Sequence, residues 1–194
     1  TEATVGVGAV NLIPGIAEAY VGSDPLIAIT SDVVLSYRHK NAAQETDQVT
    51  LLKPIVKRSF DLVNPQLTVF YVENAIRIAL SNRPGPVHIN IPADVLAEYI
   101  EFNDLSYRID NSLVNEYPLY RYAPSDDYLN RAIDIILNSM RPVNLAGVCV
   151  LMSKAQDKLV SFAEMLTMPL ATTVLGKGAI NDGHELSLGV SGVK

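Results

Sequence analysis

Apolar residues follow two different spacings in the first hundred positions of the chain. They recur at intervals of three and four over 11–21, which predicts a helix that follows a glycine-containing turn. The next segment, 25–30, is a short continuous apolar run of the kind found in a buried parallel strand. A second amphipathic helix is predicted over 66–82, and a strand over 87–91 follows a Pro-Gly-Pro turn. Because helices and strands alternate, the pattern indicates parallel βαβ units.

The same alternation begins again in the last third of the chain. Ser125 stands where the N-cap of a helix is expected, and a strand over 143–146 leads to a turn at Gly147. A helix over 155–166 and a strand over 169–174 complete a second βαβ unit. The predicted fold class is therefore α/β, with parallel sheets in two successive segments.

A polar stretch with four tyrosines separates the two segments. We predict that residues 104–124 form a linker lying on a surface, because the tyrosine rings need apolar partners. The predicted domain boundaries are accordingly 1–103 for the first unit and 125–194 for the second.

Composition narrows the classes of protein to consider. Of 194 residues, 48% are hydrophobic and 19% charged, which excludes disorder over most of the length. A net charge of −6 without an extended Lys/Arg cluster argues against a nucleic-acid partner. No apolar run is long enough for a transmembrane helix, which argues against a membrane partner. Because Cys149 has no second cysteine to pair with, we expect a cytoplasmic protein in which this side chain packs as a small hydrophobe.

The segment Gly6-Val7-Gly8-Ala9-Val10-Asn11 resembles the start of a dinucleotide-binding loop, but Asn11 replaces its third glycine. Two interpretations are equally supported. The glycines serve either a tight turn from strand to helix or a close approach of the backbone to a flat ring or phosphate.

Two further polar residues have both a structural and a functional interpretation. The Gln44 amide can donate and accept hydrogen bonds to a ligand, although the spacing of Asn41 and Gln44 favours helix capping. Arg83 could fork onto a phosphate, although a solvated loop arginine is the commoner case.

The three histidines have no spacing that indicates a metal site or a catalytic set. His88 alternates with apolar residues in a predicted strand and shares a face with Asn90, so we predict a hydrogen-bonded structural histidine. His39 and His184 are isolated in predicted loops. Spacing alone therefore yields no catalytic constellation.

A series of short motifs taken together resembles the thiamine diphosphate-dependent enzymes of the acetolactate synthase family. The motifs occur in the order and at the spacings of that family, over essentially the whole chain. They are 6–12, 17–20, 25–30, 44–47, 83–87, 91–95, 141–143, 145–147, 171–178 and 184–189.

The resemblance implies the back part of a pyrimidine-binding domain, followed by the front part of a Rossmann-like central domain. It places Gly6, Gly8 and Asn11 beside the aminopyrimidine of thiamine diphosphate. It makes Gln44 the catalytic-site residue, facing the reaction space across a dimer interface.

A flavin is a second implied cofactor. In the FAD-containing members, Arg83, Gly147 and Thr173 match residues that contact FAD. However, Val148 and Cys149 stand where that family has two further glycines, and their side chains would obstruct a close approach of a dinucleotide phosphate.

The implied reaction is decarboxylation of a 2-oxo acid and transfer of the resulting acyl-type unit. The family also needs a glutamate that protonates the cofactor ring and ligands for Mg²⁺, which we expect before Thr1 and after Lys194. We therefore expect this chain to be a piece of a longer protein, inactive by itself, whose parent is a homodimer or tetramer.

Three positions depart from the family pattern, since Val7 replaces a proline, Ala43 a phenylalanine and Ala93 a lysine. The resemblance places the phenylalanine and the lysine near the substrate channel, so Ala43 and Ala93 leave the substrates open. The alternatives are a related 2-oxo-acid or acyl-CoA decarboxylase, and a paralogue that binds a nucleotide or a partner without catalysis. A plain NAD-binding domain is disfavoured by Asn11.

Overall fold

The computed structural model of the protein describes residues 2–3, 5–101 and 123–192, and the chain divides into two compact units, 1–120 and 121–194. Of the predicted linker, 104–124, only the last two residues fall within the described ranges. The docking of its tyrosines therefore lies outside the described residues, and the predicted domain boundaries stay a prediction.

The first unit is built on a parallel sheet whose strands lie in the order β1-β2-β4-β3. This order places β4 in the interior, and six of its seven residues are buried. Burial on both faces accounts for the apolar residues Val87 and Ile89, and it requires hydrogen-bond partners for His88 and Asn90. The strands are β1 Glu2–Ala3, β2 Leu26–Asp32, β3 Arg58–Asp61 and β4 Pro86–Pro92.

Helices alternate with these strands. Gly6 precedes a short helix over 7–11 where the sequence predicts a glycine-containing turn, and the helix predicted over 11–21 is observed from Ile13 to Gly22. The predicted helix 66–82 is observed over its central 13 residues and is preceded by a short 3-10 turn. The helices are α1 Val7–Asn11, α2 Ile13–Gly22, α3 Gln48–Leu52, α4 Thr68–Leu80 and α5 Ala93–Leu96.

Two apolar clusters cover the sheet of the first unit. One cluster combines strand residues Phe60, Val87 and Ile89 with Ala75 and Ala79 of α4, whose small side chains allow close packing. The other contains Ile16, Ala28, Leu52 and Val56. Packing by several helices thus makes the sheet a rigid base for the residues at its ends.

The second unit repeats the design with three parallel strands in the order β5-β6-β7. Its core contains Ala146, Ala163, Leu170, Ala179 and Ile180. The strands are β5 Asn144–Ala146, β6 Leu170–Thr172 and β7 Ser187–Val190, and the helices are α6 Asp126–Leu137, α7 Val148–Met152 and α8 Gln156–Met165.

The prediction of an α/β fold with parallel sheets is confirmed. Ser125 is the N-cap residue of α6, as predicted, although its side chain makes no capping hydrogen bond. The prediction for Cys149 is wrong, because residues 148–152 form a short helix on which the Cys149 side chain is exposed. Among the described residues, no helix is both long and apolar enough to cross a membrane.

Candidate functional site

Charged and amide side chains meet at the carboxyl ends of the strands in the first sheet. Asp32 ends β2, Asp61 ends β3, and Asn90 lies near the end of β4. The Asn90 amide donates to Asp32 Oδ2 at 3.1 Å and to Asp61 Oδ1 at 2.9 Å. Arg38, in the segment after β2, contacts Asp32 at 2.7 Å and pairs with both oxygens of Asp61 at 2.7 and 2.8 Å. One guanidinium therefore bridges two strands.

The side chains two residues earlier in the same three strands also form hydrogen bonds, and the donor and acceptor of each can be assigned. Thr30 donates its single hydroxyl hydrogen to Asn90 Oδ1 at 3.2 Å, so its oxygen must accept from His88 Nε2 at 2.8 Å. His88 Nδ1 then accepts from the Ser59 hydroxyl at 2.6 Å. His88 is fully buried, and burial lowers its pKa from 6.5 to about 4. The prediction of a hydrogen-bonded structural histidine is confirmed.

The carboxylate that receives most of these bonds is ionised. Burial acts to raise the pKa of Asp61, but hydrogen bonds from Arg38 and Asn90 outweigh it and lower that pKa. The same pairing with Asp61 raises the pKa of Arg38. The group therefore consists of a cation, two carboxylates and a neutral histidine.

The loop of residues 39–45 follows Arg38 directly and contains Gln44. Three of its residues have positive φ without being glycine, namely His39 at 63°, Asn41 at 55° and Gln44 at 66°. Such a conformation costs an L-residue about 1 kcal/mol or more, so the surrounding contacts must enforce it. The Glu45 carboxylate supplies two of these contacts, since it accepts hydrogen bonds from the backbone N–H groups of His39 and Ala42.

The interpretation of Asn41 and Gln44 as helix-capping residues is wrong. Both lie in the loop with left-handed backbone, and the next helix begins only at Gln48. Its N-cap is Asp47, whose carboxylate accepts from the Thr50 N–H at 3.0 Å. Asp47 is the capping residue because it directly precedes the first helical residue.

Gly6 and Gln44 are in close backbone contact. Gly6 has φ of 60°, and a Cβ added there would lie 2.1 Å from the Gln44 carbonyl oxygen. Gly8 lies within α1 and Asn11 ends that helix with an exposed side chain. The Gln44 side chain is also exposed and has no hydrogen bond to the described residues. The structure thus brings the predicted glycine loop and the predicted catalytic-site glutamine together at the carboxyl edge of the sheet.

Arg83 lies away from this group, at the C-terminal end of α2. Its guanidinium donates to the carbonyls of Val21 at 2.8 Å and Tyr20 at 3.3 Å, and to the Ser23 hydroxyl at 2.7 Å. Carbonyls at a helix C-terminus have no intrahelical partner, and Arg83 provides one. Its assignment as a flavin contact stays a prediction.

Gly147 and Thr173 lie together at the carboxyl ends of β5 and β6. The Thr173 N–H donates to the Ala146 carbonyl at 2.9 Å, and its hydroxyl oxygen accepts from the Gly176 N–H at 3.1 Å. A Cβ on Gly176 would lie 2.3 Å from the Ala146 carbonyl, so only glycine fits there. Open parallel sheets bind ligands at this edge, but the assignment of Gly147 and Thr173 to a cofactor stays a prediction.

Sequence reasoning missed the polar residues at the ends of β2 and β3, as well as Arg38 and Glu45. A signal was present, because each of three strands has two polar residues separated by one intervening residue, and such pairs share a face. The pairs are Thr30 and Asp32, Ser59 and Asp61, and His88 and Asn90. The ranges that the structure describes contain no cluster of three His, Cys, Asp or Glu residues able to hold a metal.

The chain thus consists of two α/β units with parallel sheets, the class of fold that commonly binds nucleotide-like cofactors at strand ends. Residues 1–51 match the family described as thiamine pyrophosphate enzyme, N-terminal TPP binding domain. Residues 129–194 match the family described as thiamine pyrophosphate enzyme, central domain. The chain therefore belongs to the thiamine pyrophosphate enzymes and contains parts of two of their domains.

Individual relatives agree with this assignment over almost the whole chain. The chain is 36% identical over 195 residues to a probable acetolactate synthase large subunit of Methanococcus aeolicus, covering 98% of this chain and 31% of the relative. It is 37% identical over 190 residues to a protein of the same name from Methanocaldococcus jannaschii, covering 98% and 32%. It is 30% identical over 191 residues to glyoxylate carboligase of Escherichia coli O157:H7, covering 98% and 31%. The chain therefore spans about a third of the length of these relatives.

Proposed function

We propose that this chain is part of a thiamine diphosphate-dependent enzyme of the acetolactate synthase type. Such an enzyme decarboxylates a 2-oxo acid and transfers the resulting acyl-type unit to an acceptor. The observation that carries the proposal is the contact between Gly6 and Gln44 at the carboxyl edge of the first sheet. The similarity to acetolactate synthase large subunits over 98% of the chain supports it.

The residues at this edge fit the cofactor. Gly6 lies at the turn before α1, and its missing Cβ lets the loop that contains Gln44 lie directly against this turn, so the two segments meet at one edge. In the proposed site Gly6, Gly8 and Asn11 border the aminopyrimidine ring. When bound, thiamine diphosphate supplies the electron sink for decarboxylation of the 2-oxo acid.

Gln44 is proposed to be the polar residue that contacts the substrate in the reaction space. Its amide is exposed and makes no hydrogen bond within the described part of the chain, so it can both donate and accept there. In the proposed site it orients the 2-oxo acid or the acceptor, and it faces that space from a loop whose backbone is fixed.

Several parts of the proposal lie outside this chain. We place the ring-protonating glutamate and the Mg²⁺ ligands in other segments of the parent protein. We also propose a homodimer or tetramer, because Gln44 is to face the reaction space across a subunit boundary. The cytoplasm is the proposed location, on the ground of the single, unpaired Cys149.

The residues fit FAD poorly, and the proposed function uses none. Arg83 already makes three hydrogen bonds at the end of α2. In the second unit, Val148 and Cys149 add side chains at the start of α7, next to Gly147. A dinucleotide phosphate needs close backbone approach at such a turn.

A second candidate is a decarboxylase of 2-oxo acids or acyl-CoA compounds that transfers no acyl unit. Ala43, the neighbour of Gln44, is exposed and small, and Ala93 begins α5 directly after β4. Phenylalanine and lysine at these positions belong to the acetolactate synthase pattern described above. Their replacement by alanine favours a changed substrate, and a non-catalytic paralogue is the outcome in which neither reaction occurs.

Product analysis separates these candidates. The full-length protein that contains this chain is incubated with thiamine diphosphate, Mg²⁺ and pyruvate, and the products are identified by mass spectrometry. A carbon–carbon ligation product together with CO₂ supports the proposed function. Acetaldehyde and CO₂ alone support the decarboxylase. If pyruvate, other 2-oxo acids and acyl-CoA compounds are all left unchanged, both enzymatic proposals fail.

A further inference from the structure

We infer that Glu45 is a positioning residue for Gln44: its carboxylate holds the 39–45 loop closed and so fixes the direction in which Gln44 presents its amide. That Gln44 takes part in a reaction depends on the proposed function. The closure of the loop by Glu45 stands on contacts alone and can be tested separately.

Both oxygens of the Glu45 carboxylate are occupied by backbone groups of its own loop. Oε1 accepts from the His39 N–H, and Oε2 accepts from the Ala42 N–H at 3.0 Å. These hydrogen bonds also lower the pKa of Glu45, so the carboxylate is ionised and bound at neutral pH. With both oxygens so engaged, Glu45 acts through the loop rather than by touching a substrate.

The backbone of the loop needs such a tie. His39, Asn41 and Gln44 all have positive φ, a region that residues with a side chain avoid. Without Glu45, the chain gains by rotating these residues to negative φ, and a change at Gln44 turns its side chain to a different direction. The Gln44 carbonyl would then also leave its place against Gly6.

The two ends of the loop are fixed independently of Glu45. At one end Arg38 is bound to Asp32 and Asp61. At the other end, the Gln48 amide donates to the Ser31 carbonyl at 2.8 Å, and Gln48 is buried. Loss of Glu45 should therefore loosen the middle of the loop and leave the sheet and α3 in place. This makes Glu45 a specific probe of how Gln44 is held.

A double-mutant cycle tests the inference in the full-length protein that contains this chain. Glu45→Ala, Gln44→Ala and the double variant are compared by kcat and KM for pyruvate, with thiamine diphosphate and Mg²⁺ present. We expect Glu45→Ala to lower kcat by about 10- to 100-fold, the loss that follows a displacement of about 1 Å near the reacting atoms. In the Gln44→Ala background the same substitution should change kcat less than about twofold, because its effect passes through Gln44.

Equal losses in both backgrounds would overturn the inference, since Glu45 would then act without Gln44. Glu98→Ala is the matched control, because Glu98 is exposed and belongs to the same unit. If Glu45→Ala does not fold, Glu45→Gln replaces it. The glutamine side chain has only one oxygen, so it can accept from one of the two backbone N–H groups, while its NH₂ group faces the other N–H and cannot accept from it.

Hydrogen exchange keeps the inference testable if the protein does not act on any 2-oxo acid. In that case the proposed function fails, and amide exchange is measured by mass spectrometry over 38–47. Exchange in this segment should be at least about tenfold faster in Glu45→Ala and unchanged in Glu98→Ala, as expected for a local opening. Unchanged exchange in Glu45→Ala would overturn the closure of the loop by Glu45.

Discussion

The carbonyl oxygen of Gln44 occupies the space that a Cβ of Gly6 would need, 2.1 Å from that position. These residues lie in different loops, one after β1 and the other after β2, and their contact joins the two loops at one edge of the sheet. Only glycine at position 6 permits this approach. The contact is therefore both a structural constraint and the element on which the proposed cofactor site depends.

Substitution of Gly6 by alanine tests this contact through stability. The new methyl group clashes with backbone atoms, and φ of 60° adds strain, so we expect a loss of about 2–3 kcal/mol in the free energy of unfolding. Urea unfolding of the full-length protein measures it. Gly15→Ala is the matched control, because Gly15 lies in α2 with nothing within 4 Å of an added Cβ. Gly15→Ala should stabilise by about 0.5–1 kcal/mol. Equal effects of the two substitutions would contradict the described contact.

His88 should make stability depend on pH on the acid side of neutrality. Its folded pKa of about 4 lies below the ordinary value of 6.5, so the unfolded chain binds the proton more readily between these values. The stabilisation is complete above pH 6.5 and is lost as the pH falls toward 4, by about 3 kcal/mol in total.

The measurement is urea unfolding at pH 7, 6, 5 and 4 for the natural protein and for His88→Leu. The variant is expected to be less stable at pH 7, because Ser59 and Thr30 lose a hydrogen-bond partner. Its stability should fall less steeply with pH. Identical slopes for the two proteins would show that His88 does not titrate in this range.

Removal of the Arg38 charge should destabilise the first unit strongly. In Arg38→Met, Asp32 and Asp61 keep their negative charges without a cation, and the Asp32 side chain is only 9% exposed. We expect a loss of about 3 kcal/mol, the lower end of the range for breaking a buried ion pair, since Asp61 is partly exposed. The comparison is Arg131→Met on the exposed surface of α6, which should change stability by less than about 0.5 kcal/mol. A small loss in Arg38→Met would show that the two carboxylates do not need this cation.

Substitution of Arg83 separates two alternative roles of this side chain, which are binding of the C-terminal carbonyls of α2 and contact with a flavin. Arg83→Ala removes hydrogen bonds from the Tyr20 and Val21 carbonyls, and we expect about 1 kcal/mol of destabilisation. Thermal unfolding of the full-length protein with and without added FAD measures both roles. FAD should not raise the unfolding temperature of either protein. A rise in the natural protein that Arg83→Ala abolishes would support the flavin assignment and contradict this expectation.

The longer elements could be predicted because their patterns are local. The apolar spacing over 66–82 and 87–91 gave α4 and β4 to within two residues at each end. By contrast, β3 has only four residues and begins and ends with charged side chains, so no apolar run marks it. The prediction that Cys149 packs as a small hydrophobe failed because local composition does not show which face of the short helix α7 is exposed.

The candidate site was predictable only in part, since its contacts join distant positions in the chain. Local sequence favoured Gln44 as a capping residue, and nothing in residues 41–47 reveals that its carbonyl rests against Gly6. Arg38 likewise shows its importance only when β2 and β3 bring two aspartates to it. The resemblance predicts a role for Gln44 and the glycine loop, and the structure shows which residues hold them in place.

The most direct test of the central claim is cofactor-dependent turnover of pyruvate by the full-length protein, in the natural form and as Gln44→Ala. We expect CO₂ release that stops when thiamine diphosphate is removed, and a kcat about 10- to 100-fold lower in Gln44→Ala. Gln156→Ala, in the second unit, should retain the natural rate. Turnover that needs no thiamine diphosphate, or that is unchanged in Gln44→Ala, would contradict the account.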